Sequence, residues 1–183
     1  CLVGSEMCIR DRGNDGTQQL TMSEHAYAFV GDPATKQIQI CLDGESREVL
    51  LELAKQFRSL LLEDSDDSLE RLYPPAYLDH SELNVEYVSL VHDDLLQEKL
   101  TSIDIFESTI WLEFVEIEKF FSWMAVLNSI RLVLGTRLDV SEEDEFDFEK
   151  SHSPEQTLVV WLAMLLEEAV SASTFYVEDF NKR

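Results

Sequence analysis

The densest set of side chains able to hold a metal is a run of six carboxylates, Glu142, Glu143, Asp144, Glu145, Asp147 and Glu149. A calcium loop of the helix–loop–helix kind needs Asp or Asn at alternate positions and a Gly at its turn. Residues 141–150 have neither, so the run reads as a solvated linker. The histidines, His25, His80, His92 and His152, share no ligand spacing, and no His-Glu-x-x-His occurs. A zinc site is therefore not expected. No Gly-x-Ser-x-Gly elbow is present to raise a nucleophilic serine, and the glycines form no phosphate loop. No catalytic residue, cofactor or metal is assigned from these patterns.

Five residues remain as candidates for a partner contact, a redox step or a structural motif. Cys41 lies in an expected strand and reads first as a buried or half-buried structural thiol. A reactive thiol needs a cationic neighbour to lower its pKa, and the nearest in sequence, Lys36 and Arg47, are not adjacent. Arg131 and Arg137 lie in or just after the most apolar helical stretch, with Asn128 close by. They could contact a ligand or partner, but an internal ion pair through the arginine fork is the first expectation. For Arg131 the expected partner is a carboxylate of this chain. Tyr77 closes Pro74-Pro75-Ala76-Tyr77, which matches a WW-domain ligand by pattern and reads better as a packed proline turn anchored by Tyr77.

The chain carries 14 Lys and Arg against 37 Asp and Glu, a formal charge of −23 over 183 residues. Such a charge repels nucleic acid and anionic membranes. The longest apolar run, 157–166, is about half the ~20 residues of a membrane span, so a buried helix is expected there. Residues 1–12, CLVGSEMCIRDR, resemble one reading frame of a transposon-based sequencing adapter and are set aside as an artefactual segment. Removing Arg10 and Arg12 from the 14 basic residues leaves twelve, and removing Glu6 and Asp11 from the 37 acids leaves 35. The segment also holds two of the three cysteines, so Cys41 has no intramolecular disulfide partner. A reducing, cytoplasmic location is expected, with no signal peptide and Met22 as a candidate start.

The remaining sequence reads as one mainly α-helical domain over 26–172, preceded by an uncertain segment 13–25 and followed by a frayed tail, 173–183. Residues 26–30 and 37–42 form a small antiparallel β-hairpin around Gly31-Asp32-Pro33. About five helices follow. Asp43 caps the first, on Leu50, Leu53, Phe57 and Leu61. A short turn, 68–72, precedes helical stretches at 81–91 and 93–110. Residues 111–117 fit either the end of a helix or a third strand. The next helix uses Phe120, Trp123, Leu127, Ile130, Leu134 and Leu138. The last begins at Pro154 with Ser153 as its cap.

Arg71-Leu72-Tyr73-Pro74-Pro75-Ala76-Tyr77, the acidic pair Asp93-Asp94 and the block from Trp123 through Leu127-Asn128 and Arg131 to Gly135-Thr136-Arg137-Leu138 resemble a family of small actinobacterial proteins. That family is often encoded beside the ClpS protease adaptor. Some members are named oxidative-stress transcriptional regulators of the AosR type. The resemblance covers roughly 43–172. It implies a helical domain with an N-terminal hairpin, no catalytic residue, a DNA or RNA polymerase partner and some response to oxidation. An internal disulfide switch needs two thiols, and only Cys41 stands outside the adapter-like segment.

The expected function is a non-catalytic regulatory protein acting through protein partners, such as an RNA polymerase subunit or sigma factor, in oxidative-stress transcription control. A direct DNA-binding regulator and an enzyme using carboxylates are the alternatives. No direct nucleic-acid or membrane binding is expected, and the oligomeric state is left open. Because residues 1–12 owe nothing to selection for this core, deleting them should move the melting temperature by less than the ~2–4 °C that 1 kcal/mol produces in a chain of this size. Calorimetry of the full and shortened chains checks this.

Overall fold

A computed structural model of the chain describes residues 27–63, 66–73, 81–138 and 153–180. Asp43 starts the first helix, α1 (Gly44–Glu63), as the sequence requires. Its Oδ1 accepts the Ser46 N–H at 2.7 Å, and its carbonyl accepts the Arg47 N–H at 3.1 Å. Arg47, Leu50, Ala54, Phe57 and Leu61 then bury one stripe at helical spacing. The last helix, α4 (Pro154–Phe180), opens with a capping box. The Ser153 N–H donates to Gln156 Oε1 at 3.0 Å, and the Gln156 N–H donates to Ser153 Oγ at 3.2 Å.

Between these lie a 3-10 turn (Asp67–Leu72), α2 (Ser81–Thr109) and α3 (Ile117–Arg137). The described residues thus hold four α-helices, where about five were expected. The stretches 81–91 and 93–110 form a single helix, because exposed Asp93 and Asp94 sit on its solvent side and do not interrupt its backbone. The expected frayed tail is also corrected. The helix of α4 continues to Phe180, Ser173 is buried, and Phe175 and Tyr176 pack on the core.

The hairpin forms from β1 (Phe29–Asp32) and β2 (Gln37–Ile40), and residues 114–116 add the third strand, β3 (Phe114–Glu116). The order is β1-β2-β3, both pairs antiparallel, with Phe29 opposite Ile40 and Ile38 opposite Val115. Phe29, Ile38, Ile40 and Val115 face the core. There Trp123 is fully buried, with Phe106 edge-on at 4.7 Å and Phe29 at 6.2 Å between centroids. Its Nε1 donates to Thr109 Oγ1 at 2.8 Å, which satisfies the indole in an otherwise apolar site.

The helix α4 crosses β1 at Gly31, where a Cβ would come 2.1 Å from the Ala172 carbonyl oxygen and 2.7 Å from the Phe175 ring. Any side chain there would push the helix off the strand. By length and composition Pro154–Tyr176 could cross a membrane, although no single run within it looked long enough, and 28% of its apolar window is buried. Leu162, Leu165 and Ala169 are committed to the core, and Glu168 accepts the Ala28 N–H at 2.6 Å. We therefore read α4 as a core helix with a partly apolar outer side.

The most connected polar group is Arg47. Its Nε donates to the Leu42 carbonyl at 3.0 Å, Nη2 to that of Ile40 at 2.8 Å, and Nη1 to those of Leu112, at 2.9 Å, and Ile110. Replacing it with Met keeps much of the volume and orphans the buried carbonyls of Ile40 and Ile110, at ~1–3 kcal/mol each. Arg47→Met should therefore lose roughly 2–6 kcal/mol of unfolding free energy. Arg47→Lys, with one donor centre in place of the fork, should fall between it and the parent in urea titrations.

Candidate interaction surface

The candidate residues on α3 do not converge on one site. Arg131 was expected to meet a carboxylate. Its Nη2 instead donates to Asn128 Oδ1 at 3.0 Å, and its Nε is buried with no partner among the described residues. One helical turn carries Asn128 to Arg131, so this short bond competes with any reach to a more distant acid. The ion pair forms at Arg137, whose Nη2 lies 2.7 Å from Asp66 Oδ2. Asp66 also accepts the Ser68 N–H at 2.8 Å, capping the 3-10 turn. Hydrogen bonding to Ser68, followed by the Arg137 guanidinium, holds the Asp66 carboxyl down at about 2. Tyr77 and the linker 141–150 lie outside the described residues.

Among the described residues, Arg137 of α3 lines a cavity. It sits with Glu63 and Gln56 at the mouth of a cleft of about 240 Å3 between α1 and α3. The floor is apolar, with Leu53, Phe57, Leu60, Ile130 and Val133. With Arg137 already held by Asp66, the cleft has apolar contact to give and one shared cation at its edge.

Cys41 overturns the buried reading. It is exposed, just past β2, and its N–H donates to the Ala28 carbonyl at 2.8 Å. Alternation along a strand puts Cys41 and Gln39 on the side opposite Ile38 and Ile40, so the thiol belongs to the outer face of the sheet. That face carries a cross-strand row of Val30, Gln39 and Phe114. Extending the same register places Ala28, Cys41 and Leu112 in a second row. Val30 is 44% exposed, Phe114 47%, Leu112 49% and the neighbouring Trp111 55%. Large apolar side chains grouped in this way on a solvent-facing surface make this face the candidate for a contact. Among the described residues no three His, Cys, Asp or Glu side chains come together as metal ligands.

Sequence reasoning missed this face because it left 111–117 undecided between helix and strand. Read as a strand, the segment puts Leu112 and Phe114 on one side and Val115 and Ile117 on the other, and that alternation was the available signal. It also passed over Arg47, whose only mark was a cation at a core position of α1.

A family model described as a domain of unknown function, DUF2017, matches residues 26–173. No curated protein matches the chain, and neither does any solved structure.

The Asp66 carboxyl is depressed in the folded chain, so its contribution to stability is present above the ordinary carboxylate range, about pH 4, and is lost as pH falls towards about 2. Asp66→Asn should therefore melt below the parent at neutral pH, with the gap narrowing as pH falls from about 4 to 2.5. Thermal melts across that range check it, and a gap that stays constant would remove Asp66 as the responsible group.

Proposed function

The chain belongs to the family described as a domain of unknown function, DUF2017, and from that premise we propose that it is a non-catalytic regulatory protein that works by docking protein partners. The observation that carries this reading is the outer face of the sheet. Val30, Leu112 and Phe114 on that face, and Trp111 in the turn that leads to β3, are all more than two-fifths exposed, on a chain whose formal charge is −23. Aromatic side chains at the centre of a contact, ringed by polar groups, are the usual carriers of protein-binding energy. The excess of carboxylates favours a basic partner and opposes phosphate backbones.

The resemblance to oxidative-stress regulators of the AosR type supports a finer reading. The partner is then a component of the transcription machinery, an RNA polymerase subunit or sigma factor, met in the cytoplasm. Cys41 lies within the docking face, where oxidation by a peroxide, one equivalent to a sulfenic acid or two to a sulfinic acid with release of water, would place a polar or charged group among apolar contacts. The chain would thus bear on transcription without touching DNA.

One experiment separates this from direct DNA reading. A duplex reader makes ~6–10 phosphate contacts, which would take half or more of the twelve basic residues outside the adapter-like segment. Anisotropy titration with the promoter of its own gene cluster at about 150 mM salt should give no submicromolar binding. Affinity capture on the full chain should retain a transcription component, and a Val30→Lys, Phe114→Lys variant should lose it. Specific promoter binding by the isolated chain would overturn the reading, as would capture indifferent to the two substitutions.

A further inference from the structure

The strand β3 ends the sheet, and the ladder fixes which of its backbone groups point away from β2. The Ile40 N–H donates to the Glu113 carbonyl at 2.8 Å, and the Ile117 N–H donates to the Lys36 carbonyl at 3.0 Å. Peptide groups alternate in direction along a strand, so 113, 115 and 117 are turned to β2 and 114 and 116 are turned outward. The N–H and C=O of Phe114 and the N–H of Glu116 thus face outward along this edge, while the Glu116 carbonyl, at the N-cap of α3, takes the first bond of the helix. The Phe114 side chain stands on the outer face beside that edge. Around it Glu113, Glu116 and Glu118 are exposed, and Lys119 is tied to Glu116 at 2.8 Å.

Open edges invite any extended chain, and proteins blunt them with short strands and charge. At three residues, with acids around it, β3 has both features. Their effect is selective. A second copy of this chain brings its own −23 charge to the contact and is repelled, whereas a cationic segment is drawn in. Charge thus chooses the occupant, and the backbone edge with Phe114 gives it a geometry.

We propose that the β3 edge takes an extended polypeptide segment rich in Lys or Arg and in β-branched residues, which joins the sheet as a fourth strand. Its backbone pairs with Phe114 and Glu116, its apolar side chains cover Phe114, and its cations meet Glu113, Glu116 and Glu118. This rests on the reading of the outer face as a docking surface and adds the form and chemistry of what docks. Main-chain pairing supplies affinity in such strand addition, while the side-chain contacts set specificity.

The test uses the full chain and a fluorescein-labelled peptide of alternating Val and Lys, titrated by anisotropy at physiological salt. A second peptide has the same side chains with alternate amides N-methylated, which removes the pairing donors and keeps the charge. Phe114→Lys is compared with Val49→Lys, which adds the same charge at an exposed site on α1. Strand addition predicts that N-methylation and Phe114→Lys each weaken binding about tenfold or more, close to the 1.4 kcal/mol of one decade, while Val49→Lys changes it far less. Bound peptide should also slow amide exchange at Phe114 and Glu116. Equal binding of the N-methylated peptide overturns strand addition. If Phe114→Lys still weakens binding in that case, the face survives as a docking surface. If both Lys variants weaken binding alike, the peptide is held by overall charge, and the inference and the face reading fail together.

Discussion

The guanidinium of Arg47 holds four carbonyls that four different parts of the chain would otherwise leave unpaired. Ile40 ends β2, Leu42 leads into α1, Ile110 follows the last turn of α2, and Leu112 approaches β3. Carbonyls at the end of a helix lack internal partners and carry the negative end of its dipole. A planar cation with five donors meets that need without a carboxylate, and no carboxylate pairs with Arg47 among the described residues. The position of this cation ties the exit of α2 to the end of β2. It thereby bears on the register in which Ile38 meets Val115, and so on the side chains that β3 turns outward.

Much of the architecture was legible because it rests on local rules. The stripe through Leu50, Phe57 and Leu61, the Asp43 cap and the Ser153–Gln156 box each follow from a few adjacent residues. The hairpin was legible from Ile38 and Ile40 alternating with glutamines. What failed depended on distance. Asp93 resembles a helix start, and only the uninterrupted backbone of α2 says that it is not one. Ser173, Phe175 and Tyr176 read as a tail until β1 and α3 supply the surface on which they pack. Arg47 and Arg131 are both cations set beside the apolar stripe of a helix. Which of them becomes the buried clamp is decided by carbonyls up to 65 residues away.

The candidate site was less legible for a related reason. Pattern reading finds residues that belong inside, because burial imposes a period. Docking residues are the ones left over after packing, and they are visible only when the register is known. Leu112, Phe114, Val115 and Ile117 look alike as a string of apolar residues. The pairing of Gln39 with Phe114 sends one of them outward, and that of Ile38 with Val115 sends its neighbour inward. Arg131, Asn128 and Arg137 drew notice because polar groups on an apolar helix are unexpected. Arg131 Nη2 donates to Asn128 Oδ1 while its buried Nε has no partner among the described residues, and Arg137 closes the 3-10 turn through Asp66. The position of Arg137 is explained by structure before any partner is invoked.

The charge of the chain then gives the outer face its meaning. An exposed apolar surface on a weakly charged protein invites association between copies, and the common remedy is to bury or break it. Here the surrounding carboxylates leave the face in place and change its preference. In the proposed docking, long-range repulsion would oppose like chains, and the short range would favour a cationic surface with something apolar at its centre. Cys41 stands inside that face, at the row that Ala28 begins. A change at its sulfur would act on the proposed contact directly and need no conformational relay to reach it.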